Sequence, residues 1–200
     1  MTRVESLPLL LSLLAWPALG IGMALLRRRG PGAATRRDPV SLVGLLVQAL
    51  AFGLAFTMRR RLDPDPPLWE WAVRWLGVGL AWASAGVVIA AVRTLGRQWS
   101  LEARVLEGHR LIVDGPYRYV RHPIYAAMLG LCVGTGLNLS PWSVLVVATA
   151  AYLVGTRLRT RAEEDLLTRE LGEEYRRYAA AVPALVPRLF GRQQPPTGWS

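Results

Sequence analysis

The sequence predicts an all-α, polytopic membrane protein of about five transmembrane helices with a cytoplasmic C-terminal helical segment, and three observations carry that expectation. Hydrophobic residues make up 52% of the chain and come in long blocks. Crossing about 30 Å of hydrocarbon takes roughly 20 apolar residues whose backbone groups bond within the segment, and several blocks meet that test. All 24 basic residues are arginine, clustered where apolar blocks end, as in Arg27, Arg28, Arg29 and Arg59, Arg60, Arg61. Topology signals and snorkelling side chains belong at such places.

The first span covers residues 7–26. Ala18, Leu19 and Gly20 mimic a cleavage site, but the apolar run continues past them into the Arg27 cluster, so a retained span is expected. A Gly, Pro and Arg linker at residues 31–38 precedes the second span, from Pro39 to Met58. Asp63, Pro64, Asp65, Pro66 and Pro67 break the helix, and the third span runs from Trp69 to Val92, with Trp69, Trp71 and Trp75 as an interfacial belt. Glu70 and Arg74 are four apart and can neutralise one another.

Residues 93–122 are polar enough to leave the membrane and lead into a helical hairpin, residues 123–139 and 141–156. Ser140 and Pro141 have the chemistry of an N-cap and first helical residue. Gly130 and Gly134 on one arm, and Ala148, Ala151 and Gly155 on the other, predict that the two arms pack closely. A polar helix continues from Arg157 to Leu171, stops near Gly172, and restarts from Glu173 to Ala181. Three units follow: residues 1–92 as three N-terminal spans, 93–190 as a functional core, and 191–200 as a disordered tail.

With five spans, nineteen arginines fall on one side and five on the other. The excess places the C-terminus in the cytoplasm and the N-terminus outside, in a bacterial inner membrane. The charge of +10 raises nucleic acid as a partner, but no basic stripe with interleaved aromatics supports it. Two histidines and one cysteine are too few for a zinc site built from those residues, so no metal is expected. Cys132 has no intrachain disulfide partner and sits in an apolar block.

The informative stretch is Leu111-Ile-Val-Asp-Gly-Pro-Tyr-Arg-Tyr-Val-Arg-His-Pro-Ile-Tyr125. It places a histidine and two arginines at a helix N-terminus on the water-lipid boundary, where free N–H groups and partial positive charge favour an anionic or oxygen-rich ligand. A blander reading has Arg118 and Arg121 snorkelling and His122 capping the helix. The second constellation, Arg157-Leu-Arg-Thr-Arg-Ala-Glu-Glu164, lies where the fifth span leaves the membrane. An antiparallel hairpin brings both motifs to the same depth, with His122 and Tyr125 near Glu163 and Glu164. Arg159 and Glu163 share one helical face.

Together these residues resemble the isoprenylcysteine carboxyl methyltransferase family, within the wider group of membrane methyltransferases that includes phospholipid methyltransferases. The matching pieces are Gly-Pro-Tyr-Arg-Tyr-Val-Arg-His-Pro-Ile-Tyr at 115–125, Glu163-Glu164, Leu171-Gly172-Glu-Glu-Tyr175, and Tyr178 followed by Val182-Pro183 and Leu185-Val186-Pro187. Leu95 to Ser100 is a looser match. The resemblance implies S-adenosylmethionine as methyl donor, with Leu111, Val113, Tyr117, His122, Pro123, Tyr125, Glu163 and Glu164 as cofactor contacts. It also implies that Arg159 stands near an acceptor carboxylate, beside Glu163 as the second catalytic residue. An arginine fork suits a carboxylate, and transfer from a sulfonium needs orientation more than a strong base. The expected partners are a lipophilic or lipid acceptor and the membrane lipids. Two alternatives stand beside this reading. Sterol reductases carry a similar Arg-His-Pro element, which suggests an NADPH-dependent membrane reductase. Cytoplasmic arginines holding anionic lipid suggest a non-enzymatic scaffold.

Overall fold

A computed structural model describes residues 6–26, 39–60, 66–96 and 111–188, and among these the secondary structure is entirely helical. The helices are α1 (Leu7–Leu26), α2 (Pro39–Thr57), α3 (Leu68–Leu95), α4 (Pro123–Leu139), α5 (Trp142–Leu171) and α6 (Glu173–Ala181), with one turn of 3-10 helix at Gly115–Arg118. The Arg27 cluster, the 31–38 linker, Asp63 to Asp65, Arg97 to Ser100 and the 191–200 tail lie outside the described residues.

Three helices, α1, α2 and α3, are long and apolar enough to cross a membrane, and α4 is a shorter apolar helix of 17 residues. The chain is a membrane protein. Helix α5 fuses the predicted fifth span and the polar segment after it into one rod of 30 residues, about 45 Å long at 1.5 Å per residue. That length exceeds a hydrocarbon core, so the polar end that carries Glu163 and Glu164 is held rigidly to the apolar end. Gly172, at φ +56, closes α5 and turns the chain into α6.

The helices pair in a way the hairpin reading did not foresee. The broadest contacts join α2 to α5 and α3 to α4, and α4 touches α5 less extensively. Glycines decide this. A Cβ on Gly134 would stand 2.7 Å from the Ala81 nitrogen, and one on Gly77 would stand 2.6 Å from the Gly134 carbonyl oxygen. Gly130 abuts the Ser84 hydroxyl. The small face of α4 therefore lies on α3, whereas Gly155 of α5 lies against Gly44 of α2. In lipid, apolar faces gain nothing by exchanging a lipid tail for a helix, and backbone approach at small residues selects the partner.

Ser140 is likewise not the N-cap of α5. It terminates α4, and its hydroxyl donates to the Ala55 carbonyl of α2. Pro141 holds the cap position and Trp142 begins the helix.

Helix α1 rests on α3 and α4. Trp16 donates to Thr135 Oγ1 at 3.0 Å and meets Phe52 and Phe56 edge-on. Asn138 Nδ2 donates to Ser12 Oγ and to the Arg74 carbonyl, each at 3.0 Å. Arg60, expected as a topology anchor, bridges to Glu70, which also holds Arg74 at 2.7 Å. This buried cluster marks the end of the bundle opposite His122.

Candidate active site

The antiparallel hairpin sets the N-terminus of α4 beside the polar half of α5. His122 precedes α4 and is only 6% exposed; no side chain caps the helix, and Pro123 begins it. The capping role considered for His122 is therefore not the one its ring performs. Its Nε2 lies 2.9 Å from Glu164 Oε1, and its Nδ1 faces Glu163 Oε2 at 3.5 Å. Glu163 also accepts a hydrogen bond from the Tyr125 hydroxyl.

Arg121 completes the group and is more than a snorkelling side chain. Its Nε and Nη2 donate to Glu164 Oε1 at 3.1 and 2.8 Å, while Nη1 donates to the carbonyls of Ala179 and Val182 at 2.7 and 2.6 Å. The backbone N–H groups of Arg121 and His122 donate to the Pro183 and Ala184 carbonyls at 2.8 and 3.0 Å. The stretch after α6 is thus strapped to the start of α4, and Arg121 satisfies carbonyls that α6 leaves open at its C-terminus. Sequence periodicity could not reveal this role, because it depends on where α6 ends in space. The Val-Pro-Ala sequence at 182–184 was the available signal.

Electrostatics follow from the geometry. Burial works against the charged form of His122, but Glu163 and Glu164 outweigh it and hold its pKa above the usual histidine value. Burial likewise opposes ionisation of Glu164, yet His122 and Arg121 hold its carboxyl below the usual range. With His122 protonated, two cations and two carboxylates cancel. Burial and the nearby Glu163 charge push the Tyr117 phenol upward.

Of the residues singled out from sequence, His122, Tyr125, Glu163 and Glu164 form one bonded network. Pro123 is buried at the first position of α4. Tyr117 is buried, and its carbonyl accepts from the Tyr178 hydroxyl at 2.7 Å. Leu111 and Val113 pack on the apolar cluster of Tyr175, Tyr178 and Val182.

Arg159 joins from one turn earlier on α5. It is 6% exposed, its Cζ lies 4.9 Å from the centroid of the Tyr125 ring, and Nη1 donates to Gln48 Oε1 at 3.2 Å. The guanidinium is thus enclosed between α2 and Tyr125. Gln48 was missed from the sequence. The signal was present, since a side-chain amide inside an apolar span is costly unless something bonds it.

Residues 77–169 match the isoprenylcysteine carboxyl methyltransferase (ICMT) family. A protein of Oryza sativa subsp. indica named "probable protein-S-isoprenylcysteine O-methyltransferase" is 32% identical over 161 residues, which cover 76% of this chain and 83% of that protein. The protein-S-isoprenylcysteine O-methyltransferase of Homo sapiens is 30% identical over 151 residues, covering 72% of this chain and 51% of the relative. Methanethiol S-methyltransferase 2 of Bradyrhizobium diazoefficiens is 27% identical over 161 residues, covering 75% and 60%. Apolar helices and these matches together define a helical membrane methyltransferase. The chain belongs to the isoprenylcysteine carboxyl methyltransferase family.

Proposed function

We propose that this methyltransferase takes its methyl group from S-adenosylmethionine and delivers it to the carboxylate of a lipophilic acceptor of the isoprenylcysteine kind. The observation that carries the proposal is the convergence of His122, Tyr125, Glu163 and Glu164 at one end of the α4 and α5 pair, with Arg159 one turn away. The donor set fits the cofactor. Glu163 and Glu164 keep 23% and 29% of their side chains exposed, enough to receive hydroxyl and ammonium donors. The uncapped first turn of α4 offers backbone N–H groups to a carboxylate.

When bound, S-adenosylmethionine supplies an electrophilic methyl on a sulfonium. The protein's own work is positioning. Glu163 and Glu164 hold the polar groups of the cofactor, with Leu111, Val113 and Tyr117 along its edge and Pro123 setting the course of α4. Arg159, beside Tyr125, orients the acceptor carboxylate, which is already ionised near neutral pH and needs no base to become a nucleophile. In this reading the chain makes five crossings, α4 and the apolar half of α5 being the fourth and fifth. The N-terminus lies outside a bacterial inner membrane, and the site opens to the cytoplasm.

Two measurements test this. Calorimetry on detergent-purified protein should register S-adenosylhomocysteine and not NADPH, and the reverse would move the chain to the reductase class. Arg159→Lys keeps the charge but loses the planar fork. It should bind S-adenosylhomocysteine as wild type does and lose about tenfold or more in transfer to an S-farnesyl mercaptoacid, or about 1.4 kcal/mol of transition-state stabilisation. Full turnover in that variant would make Arg159 an anchor outside the reaction. Likeness to a methanethiol S-methyltransferase makes a thiol the second acceptor class. A short alkanethiol run in parallel, methylated where the acid is not, would select it.

A further inference from the structure

We infer that Gln48, on α2, is a positioning residue for methyl transfer that acts by setting the guanidinium of Arg159 against the Tyr125 ring. The inference rests on the role proposed for Arg159 and extends the site to a helix outside the 77–169 match.

Gln48 is 4% exposed within an apolar helix. A carboxamide in that setting costs several kcal/mol unless both ends are bonded, and both are. Nε2 donates to Thr156 Oγ1 at 2.9 Å, and Oε1 accepts from Arg159 Nη1 at 3.2 Å. A guanidinium has donors only, so it must face Oε1. The Thr156 hydroxyl accepts from Nε2, and the guanidinium, which would meet an NH2 group if the amide turned over, keeps Oε1 on its own side. Thr156 and Arg159 are three apart on α5 and share a face, so one amide spans them both.

The close approach of α2 and α5 makes this reach available. A Cβ on Gly155 would stand 2.7 Å from the Gly44 carbonyl oxygen and 2.9 Å from Gln48 Cγ. A Cβ on Gly44 would stand 2.6 Å from Arg159 Cγ. Gly44 and Gln48 are one turn apart, as are Gly155 and Arg159, and the two pairs interlock. The small residues that lock α2 onto α5 thus seat the amide on the arginine. Beyond the arginine the contacts run to Tyr125, whose hydroxyl donates to Glu163. A residue from the second helix is thereby three contacts from Glu163.

The test pairs Gln48→Leu, which removes the amide at similar size, with Gln48→Glu, which retains an acceptor at the same reach. Each is measured for S-adenosylhomocysteine affinity by calorimetry and for kcat and acceptor KM with the S-farnesyl mercaptoacid. The leucine variant is expected to bind S-adenosylhomocysteine within about twofold of wild type and to lose about tenfold in kcat. The glutamate variant should recover most of that loss. Because Gln48 acts through Arg159, Gln48→Leu should cost little more in an Arg159→Lys background, a non-additivity expected of residues in contact. Full turnover in Gln48→Leu while Arg159→Lys is impaired overturns the inference and leaves the proposed function standing. Full turnover in Arg159→Lys overturns both. Equal fractional losses in the two backgrounds, no recovery in Gln48→Glu, or loss of folding in both Gln48→Leu and the longer Gln48→Met would mark Gln48 as structural.

Discussion

Replacing Glu164 by Gln changes one atom and removes one charge, and the structure says what that charge holds. A single oxygen, Oε1, receives Arg121 Nε, Arg121 Nη2 and His122 at 3.1, 2.8 and 2.9 Å. A hydrogen bond to a charged partner contributes about 1 kcal/mol more than a neutral one. Three such bonds would give about 3 kcal/mol, but the carboxyl is 29% exposed and solvent screening brings the cost to about 1–2 kcal/mol. At 2–4 °C per kcal/mol for a chain of this size, the unfolding midpoint should fall by roughly 2–8 °C. The assay is thermal unfolding of detergent-purified protein at pH 6, compared with Glu173→Gln. Glu173 pairs with Arg176 at 3.5 Å on an exposed face, so its loss should stay within about 0.5 kcal/mol. Stability of the wild type should also depend on pH in a set direction. His122 has a raised pKa, so its contribution is complete below about 6.5 and is lost as pH rises through the raised value. Glu164 has a lowered pKa, so its contribution is present above about 4.3 and is lost as pH falls through the lowered value. The Gln variant should therefore lose part of the decline at high pH, because less holds His122 protonated. Equal midpoints for Glu164→Gln and Glu173→Gln would refute the reasoning and make Glu164 an ordinary surface charge.

Three further outcomes are expected. Glu163→Gln should weaken S-adenosylhomocysteine binding by about tenfold, or 1.4 kcal/mol, while the protein stays folded and inserted; unchanged calorimetric affinity there and in Glu164→Gln would remove the pair from the site. Gly155→Val should separate α2 from α5, because its first added atom meets the Gly44 carbonyl and Gln48 Cγ. An overpacked core position loses about 1–3 kcal/mol, so the midpoint should drop, with turnover falling as Gln48 leaves Arg159. An unshifted midpoint would contradict the close approach. Reporter fusions after Arg61 and after Asn138 should both signal the outer side, and a cytoplasmic signal at either would rule out five crossings with the N-terminus outside.

What the sequence determined by itself was the set of one-dimensional quantities. Apolar run length and helix punctuation set α1, α4 and α6 at 7–26, 123–139 and 173–181, as observed. The short turn at Ser140 and Pro141 implied an antiparallel hairpin, and the hairpin alone brings His122 and Tyr125 level with Glu163 and Glu164. Tertiary structure decided which apolar face meets which. Hydropathy ranks a residue's preference for lipid over water and is nearly silent on helix against helix, since lipid and leucine are equally apolar. Gly130 and Gly134 could have faced α5, but the approach of Gly77 and Ala81 drew them to α3. Ser140 reads as a cap until Ala55 offers a carbonyl. Arg121, Arg159 and Gln48 acquire their partners only when α6, α2 and α5 have converged, because a buried hydrogen bond depends on distances of about 3 Å between groups 58 to 111 residues apart in the chain.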